Sequence, residues 1–261
     1  MPPKKKKANI DFKCGNEMVN LYETPSVKKY LPEKNNPSFP HTQIELNSRI
    51  LVVGASGSGK TNWLCNYLQR CPDTYSHIHI CYKEAEPLYQ TLKEKLKKSI
   101  TFYTSPKDIP RLEDIRRDEN GKEDATDNIL LVIDDHVDQA YRYPNLDDIF
   151  LRGRKFVTTI FITQSYYKVP KFWRSQLTYI ILIKISGDKD LKLVLSDYSL
   201  GLDKEQLFQL YNKATKRKFN FFKLDVNQSD PNKKYSHNWT DFYHVKDESD
   251  NESDSDYLNS K

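Results

Sequence analysis

The sequence of 261 residues lacks any long apolar run, and it contains only eight glycines and four cysteines. The longest apolar stretches, Ile129–Ile133 and Tyr179–Ile183, have the length of a strand, whereas a membrane-spanning helix needs about 18 apolar residues. The basic segment Met1–Lys7 is not followed by the apolar core of a secretory signal. We therefore expect a protein that has no membrane partner, is not secreted and stays inside the cell.

The cysteines predict free thiols. No two of them have the spacing of a CxxC pair: they are Cys14, Cys65, Cys71 and Cys81. A reducing compartment is the ordinary setting for such cysteines. His77, His79 and Cys81 would share one face of a strand, where all three could bind zinc. We favour an ordinary strand, because no fourth ligand lies at a familiar spacing and Ile78 and Ile80 form an apolar opposite face.

Charge is distributed unevenly along the chain. Residues 247–261 carry six acidic side chains and one basic side chain, a balance of −5. Because the whole chain has a formal net charge of +5, residues 1–246 carry +10. This basic body favours a nucleic-acid partner, although lysine-rich surfaces also occur on proteins that bind no polyanion.

Short β-branched runs alternate with stretches of helical periodicity from Ile44 onward. The predicted strands are Arg49–Val53, His77–Tyr82, Ile100–Tyr103, Ile129–Ile133, Thr158–Thr163, Leu177–Ile185 and Phe219–Leu224. The predicted helices are Lys60–Gln69, Pro87–Lys97, Ile109–Arg116, Asn145–Arg152 and Lys204–Lys213. This alternation predicts an α/β fold with a mainly parallel central sheet flanked by helices.

Residues 54–61, Gly-Ala-Ser-Gly-Ser-Gly-Lys-Thr, fit the P-loop pattern between a predicted strand and a predicted helix, the context that this motif requires. Glycines let backbone N–H groups approach phosphate oxygens, and the following helix adds the positive end of its dipole. ATP and Mg²⁺ are therefore the predicted cofactors. Lys60 would bridge the β- and γ-phosphates, and the Thr61 hydroxyl would bind Mg²⁺. The predicted nucleotide-binding residues are Gly54, Ala55, Ser56, Gly57, Ser58, Gly59, Lys60, Thr61 and Asn62.

Two further strands end in polar residues that suit this chemistry. Asp134 and Asp135 follow the most apolar strand, at the end where α/β sheets bind ligands. Asp134 would hold Mg²⁺ through water, and Asp135 would orient the attacking water or accept its proton. Gln164 follows the strand Thr158–Thr163 and could hydrogen-bond the water or the γ-phosphate if the strand ends meet. Each feature alone has a simpler interpretation, because an Asp pair can begin a turn and a glutamine at a strand end is weak evidence.

We divide the chain into three parts on these patterns. Residues 1–43 contain lysine runs and six prolines and are predicted to form an irregular basic N-terminal arm. Residues 44–225 carry the motifs and are predicted to form a P-loop ATPase domain. Residues 226–261 are predicted to be a polar C-terminal extension with an acidic tail.

The motifs together resemble one family. They include the P-loop, Asp134-Asp135, Arg152-Gly153-Arg154 before a strand that ends in Thr163-Gln164-Ser165, and Val169-Pro170 with Arg174 before another apolar strand. Over about residues 44–185 the chain resembles the viral DNA-packaging ATPases of the FtsK/HerA superfamily, the type found in poxviruses, giant viruses and virophages. The P-loop is generic to NTPases, whereas the Thr-Gln strand followed by Val-Pro-x-x-x-Arg is the specific part.

The resemblance implies a RecA-like P-loop NTPase core in which the glutamine strand separates the P-loop strand from the Mg²⁺-binding strand. It also implies a homo-oligomeric ring in which an arginine of one subunit reaches the γ-phosphate held by its neighbour. Arg154, Arg152 and Arg174 match the family's basic residues, and Arg154 is the first candidate. Many members carry Glu where this chain has Asp135, which leaves open whether Asp135 polarises water directly or Gln164 takes that role.

The function implied by the resemblance is ATP-driven, Mg²⁺-dependent translocation of double-stranded DNA, independent of its sequence, into a capsid whose components are also partners. The host cytoplasm or a viral factory is the expected location, with association with the virion as a further option. Lys213–Lys218 and Tyr166–Arg174 are candidate DNA-phosphate contacts, or else a solvated helix end and a packed loop. The alternatives are another P-loop DNA motor, such as a helicase or a DNA pump, and a non-motor structural protein that binds nucleotide and DNA.

Overall fold

The computed structural model describes residues 20–29, 36–115, 128–136, 143–198 and 201–244. The chain separates into two compact units, residues 1–35 and residues 36–261. In the first unit the described residues form a 3-10 turn, Leu21–Glu23, and one helical turn, Pro25–Lys28. The lysine run at residues 4–7, Cys14 and the acidic residues 247–261 lie outside the described residues.

The second unit contains one mixed sheet, to which the described residues contribute nine strands. In chain order these are β1 (Arg49–Val53), β2 (His77–Tyr82), β3 (Ile100–Tyr103), β4 (Ile129–Asp134), β5 (Val157–Thr163), β6 (Tyr179–Leu182), β7 (Phe222–Asp225), β8 (Tyr235–His237) and β9 (Asp241–Phe242). Their order across the sheet is β3-β2-β4-β5-β1-β6-β7-β8-β9. The pairings from β3 to β6 are parallel and those from β6 to β9 are antiparallel. The predicted mainly parallel sheet is therefore confirmed.

Helices cover both faces of this sheet. Those of nine residues or more, within the described ranges, are α1 (Lys60–Arg70), α2 (Pro87–Leu96), α3 (Pro144–Arg152), α4 (Asp188–Asp197) and α5 (Lys204–Ala214). Shorter helical turns are Phe39–Thr42, Lys97–Ser99, Pro106–Asp108, Gly153–Lys155, Tyr166–Lys168, Lys171–Arg174 and Pro231–Lys234. Among the residues that the structure describes, none of the helices has the length and apolarity needed to span a membrane.

The alternation of side chains along β1 explains this layered arrangement. Ile50 and Val52 pack into a core with residues of α1 and α2. Leu51 and Val53 pack into a second core with residues of α3, α4 and α5. Because successive side chains of a strand point to opposite faces, a strand that is apolar at every position is buried on both sides.

Some elements differ from the sequence-based expectation. Residues 109–115 of the predicted helix Ile109–Arg116 form turns, and the three-residue spacing of Ile109, Leu112 and Ile115 reflects burial of these side chains in the core. Pro110, which cannot donate a backbone hydrogen bond, lies within this stretch. Of the predicted strand Leu177–Ile185 only β6 is paired. Helix α4 and strands β8 and β9 were not predicted, because their sequences are short or begin with charged residues.

The strand order sets the position of the functional motifs. β5 pairs with β1 on one side and with β4 on the other. This is the arrangement implied by the family resemblance, with the glutamine strand between the P-loop strand and the Asp strand. The three strands are parallel, so their carboxyl ends lie at one edge of the sheet, where α/β proteins bind ligands.

Candidate active site

A pocket of about 270 Å³ lies at the carboxyl ends of β1, β4 and β5. The residues that line it are Ser56, Gly57, Gly59, Lys60, Thr61, Asn62, Lys83, Glu84, Glu86, Leu88, Asp134, Asp135 and Gln164. The structure thus brings together residues that the sequence separates by about a hundred positions. Glu84 and Glu86, which follow β2, are acidic neighbours that the motifs did not reveal.

The P-loop is anchored to the strands beside it. The Gly54 N–H donates to the Thr163 carbonyl at 3.2 Å, and the Ala55 N–H donates to the Lys184 carbonyl at 2.7 Å. Gly57 and Gly59 have φ values of 70° and 102°, which side chains other than glycine rarely adopt. A Cβ atom added to Gly57 would contact nothing within 4 Å. The loop therefore has the open cradle that a phosphate chain requires.

Lys60 begins α1, and its ammonium group lies between the loop and the acidic wall of the pocket. Its Nζ donates to the Ala55 carbonyl at 3.1 Å. Burial lowers the pKa of Lys60, whereas the nearby Asp134, Asp135 and Glu86 carboxylates act in the opposite direction. A half-buried ammonium at the start of a helix suits contact with phosphate oxygens.

Asp134 is held by Tyr89, a residue that sequence reasoning did not select. The buried Tyr89 hydroxyl donates to Asp134 Oδ2, and both Thr61 and Asp134 line the pocket. Burial raises the pKa of Asp134 to about 6, against the lowering effect of the Tyr89 hydrogen bond. The Thr61 hydroxyl and the Asp134 carboxylate are the hard oxygen ligands that Mg²⁺ prefers, and both residues line one pocket, so they fit the ion.

Asp135 and Gln164 meet across the ends of β4 and β5. Gln164 Nε2 donates to Asp135 Oδ2 at 3.4 Å, and the Asp135 N–H donates to the Ile162 carbonyl at 3.0 Å. Asp135 has a φ of 57°, in the left-handed region that Asp and Asn tolerate better than most residues. The turn after β4 therefore points the Asp135 carboxylate in a different direction from the Asp134 carboxylate.

The loop that follows Gln164 is fixed by a buried carboxylate. Asp190, in the first turn of α4, accepts hydrogen bonds from Ser165 Oγ at 2.9 Å and from the Tyr167 N–H at 3.0 Å. In the segment Tyr166–Arg174 the Tyr167 and Phe172 rings are exposed, whereas Trp173 is buried. The segment is thus partly packed and partly presented to solvent.

The three candidate arginines lie outside the pocket. Arg154 is exposed and lies just before β5, at the sheet edge opposite to the pocket. Arg152 is exposed and pairs with Asp148 at 2.9 Å. Arg174 is buried, pairs with Asp197 and lies over the Tyr166 ring at 5.1 Å. Arg174 therefore has the environment of a structural residue, whereas Arg154 lies at the opposite end of β5 from the pocket of its own chain.

The chain is similar to several known proteins. Residues 41–224 match the model of the family described as Poxvirus A32 protein. B204, the DNA-packaging ATPase from Sulfolobus Turreted Icosahedral Virus, has a TM-score of 0.51 at 17% identity, covering 75% of this chain and 98% of its own. The genome packaging NTPase B204 from Sulfolobus turreted icosahedral virus 2 in complex with sulfate has a TM-score of 0.48 at 16% identity, covering 70% and 94%.

A third similar structure is the pCW3 conjugation coupling protein TcpA in its monomer form, with a TM-score of 0.49 at 15% identity, covering 77% of this chain and 62% of its own. No curated protein matches the sequence. At 17% identity the similarity to B204 from Sulfolobus Turreted Icosahedral Virus concerns the fold, and it confirms the predicted P-loop NTPase architecture.

Proposed function

Because the chain belongs to the poxvirus A32 protein family, which makes it a viral genome-packaging ATPase, we propose that it hydrolyses ATP with Mg²⁺ to move double-stranded DNA into a capsid. The observation that carries the proposal is the pocket in which Lys60, Thr61, Asp134, Asp135 and Gln164 meet. These side chains follow the carboxyl ends of three adjacent parallel strands, β1, β4 and β5, so the site depends on the order of the strands as well as on the P-loop motif.

In this mechanism the phosphates of ATP lie on the backbone N–H groups of the P-loop, with Lys60 against the β- and γ-phosphates. Asp135 accepts a proton from the attacking water or orients it, and Gln164 keeps the carboxylate in place through its amide. Thr61 and Asp134 would hold Mg²⁺, which neutralises charge on the phosphates when bound. Tyr89 orients Asp134 for that contact.

DNA contact is proposed for the exposed part of the loop after β5. Tyr167, Lys168 and Lys171 are exposed there, and Lys189 Nζ lies 3.9 Å from the centre of the Tyr167 ring. Lysine side chains bind phosphates without reading bases, as a motor that accepts any sequence requires. The +10 formal charge of residues 1–246 supports the same partner.

A ring of identical subunits is proposed because the pocket has no arginine of its own among the described lining residues. Arg154 of one subunit would neutralise charge that develops on the γ-phosphate held by the next. Arg154→Ala should then give inactive oligomers that still bind ATP. Mixing them with Lys60→Ala subunits should restore part of the activity, because some interfaces would pair an intact P-loop with an intact arginine. No recovery at any ratio would exclude this arginine as the residue acting in trans.

The proposal is tested by ATP hydrolysis at low salt, with and without long duplex DNA, together with the mass of the protein by light scattering. We expect severalfold stimulation by DNA and the mass of an oligomer. Lys60→Ala should abolish both basal and stimulated turnover, and Lys98→Ala, a lysine exposed far from the pocket, should not. DNA binding without turnover would instead favour the structural protein, and unwinding of a forked duplex would favour a helicase.

The proposal also defines where the protein works. Packaging requires contact with a capsid component, inside the infected cell, in its cytoplasm or in a viral factory. Co-sedimentation of the chain with empty capsids assembled from the same virus would test this contact. Failure to associate with capsids in the presence of ATP and DNA would contradict the packaging role while leaving the ATPase assignment intact.

A further inference from the structure

A second pocket of about 370 Å³ adjoins the active site and shares Ser56 and Gly57 with it. One wall is the P-loop from Ala55 to Ser58, and the opposite wall is the segment Thr215–Asn220 that links α5 to β7. Sequence reasoning selected part of this segment, Lys213–Lys218, as a candidate DNA contact. The fold instead places its end against the phosphate-binding loop.

Phe219 is the most unusual residue of this wall. Its side chain is 51% exposed, and its φ of 70° is rare for a bulky residue. A Cβ atom at Gly59 would lie only 2.6 Å from Phe219 Cδ1, so the ring lies directly on the backbone of the P-loop. Residues held in sparsely populated backbone regions persist where the surrounding structure determines them, and they cluster at active sites and ligand clamps.

The surroundings of Phe219 do determine its position. The Asn220 N–H donates to the Arg217 carbonyl at 3.2 Å, which closes the turn. The adjacent Phe221 exchanges hydrogen bonds with Asn238, since the Phe221 N–H donates to Asn238 Oδ1 at 3.1 Å and the Asn238 N–H donates to the Phe221 carbonyl at 2.9 Å. Hydrogen bonds on both sides of Phe219 therefore fix the backbone that carries the ring into the wall of the pocket.

The two pockets differ in charge. Four carboxylates line the active-site pocket: Glu84, Glu86, Asp134 and Asp135. The described lining of the second pocket contains no acidic residue and four basic ones: Lys184, Lys216, Arg217 and Lys218. The first pocket suits a cation and the reacting end of a triphosphate, whereas the second suits an aromatic group that carries a phosphate.

We propose that the second pocket is the subsite for the nucleoside of ATP, with Phe219 stacking on the base. This inference rests on the proposed function. If the γ-phosphate of ATP faces Asp135 and Gln164, the nucleoside at the other end of the molecule must extend out of the active-site pocket. The two pockets meet at Ser56 and Gly57, so the second pocket is next to that end. A volume of about 370 Å³ is within the range of small-molecule sites.

The test compares ATP with inorganic tripolyphosphate as probes, both with Mg²⁺, because only ATP carries a base. Phe219→Leu keeps an apolar side chain at the strained position, and Phe219→Tyr keeps the aromatic ring. We expect Phe219→Leu to weaken ATP binding about 5- to 30-fold and to leave tripolyphosphate binding unchanged, since stacking acts on the base alone. Phe219→Tyr should bind ATP within about 2-fold of the parent chain, because it can still stack.

Three results would overturn the inference. Phe219→Leu could bind ATP as the parent does, it could lose ATP and tripolyphosphate equally, or it could lose only duplex DNA. Equal loss would mean that Phe219 supports the P-loop backbone, and loss of DNA alone would assign the pocket to DNA. If the parent chain bound neither ATP nor tripolyphosphate, the proposed function itself would fail, which is a distinct outcome.

A spectroscopic measurement checks the same point without relying on affinity. In Phe219→Trp the new indole should be quenched by ATP and by ADP but not by tripolyphosphate, with the emission of the parent chain's own tryptophans as the reference. Quenching by tripolyphosphate to the same extent would contradict stacking. Thermal denaturation of each variant shows that it is folded before any titration is interpreted.

Discussion

Replacing Arg174 by alanine should destabilise the protein without acting at a neighbouring active site. Arg174 pairs with Asp197, and the two side chains are 10% and 18% exposed. Asp197 also accepts a hydrogen bond from the Tyr166 hydroxyl at 2.9 Å. The main chain is involved as well, because the Tyr198 hydroxyl donates to the Arg174 carbonyl. Removing the guanidinium therefore leaves a nearly buried carboxylate without its counter-charge.

The size of the effect follows from burial. Breaking a fully buried ion pair from one side costs about 3–5 kcal/mol, and the residual exposure here reduces this to about 2–4 kcal/mol. For a chain of this size each kcal/mol lowers Tm by about 2–4 °C, so Arg174→Ala should lower Tm by about 4–16 °C. Arg152 is the matched control, because its pair with Asp148 has side-chain exposures of 65% and 31%. Arg152→Ala should cost less than about 1 kcal/mol.

Thermal and urea denaturation of the two variants and the parent chain measure these differences. The double variant Arg174→Ala with Asp197→Ala should recover part of the loss, since it no longer buries an unpaired charge. The reasoning would be refuted if Arg174→Ala kept the parent Tm, lost ATP hydrolysis and regained it when mixed with Lys60→Ala subunits. That result would make Arg174 the arginine that acts in trans.

Three other substitutions test separate parts of the structure. Asp135→Asn should preserve folding and ATP binding, because Asn tolerates the left-handed φ of 57°. It should reduce the rate of ATP hydrolysis at least about 100-fold, and a rate equal to that of the parent chain in a steady-state assay would contradict the assigned role. Tyr89→Phe removes the hydroxyl that holds Asp134 and should raise the Mg²⁺ concentration for half-maximal hydrolysis about 10-fold, and an unchanged Mg²⁺ titration would argue against positioning. Lys223→Met should lower the free energy of unfolding by about 2–3 kcal/mol in urea titrations, because the Lys223 amine donates to the carbonyls of Thr42 at 3.0 Å and Trp239 at 2.6 Å. Equal stability would show that the cost of burying this amine offsets the hydrogen bonds.

The sequence was sufficient to predict the parallel part of the fold. The runs that became β1, β2, β3 and β4 were predicted almost to the residue. β1 and β4 are buried on both faces and are apolar at nearly every position, whereas β2 and β3 were recognisable from their β-branched and aromatic residues. The P-loop was predictable for a different reason, since its glycines, lysine and threonine each have a separate task in binding phosphate. The placement of Gln164 beside Asp135 depended on the order of strands, which the family resemblance supplied.

Other features could not be predicted because they depend on contacts between distant segments. Tyr89 is an ordinary apolar position of α2 in the sequence, and only the fold brings its hydroxyl to Asp134. Phe219 follows a basic segment whose charge suggested a contact with DNA. Its contact with Gly59 arises only because the chain passes the P-loop before it enters β7. Arg174 matched a family pattern, but no pattern in the sequence shows that Asp197 buries it.

Two hydrogen bonds to Asp190 couple the position of the loop after β5 to the position of α4. If Gln164 shifts when the γ-phosphate leaves, Ser165 and Tyr167 must either carry α4 with them or break their bonds to Asp190. Close-packed interiors have low compressibility, so a displacement of α4 is passed on to α5, against which it packs. The far end of α5 leads into the segment that touches the P-loop. A displacement at Gln164 would therefore reach the segment that lines the second pocket beside the P-loop.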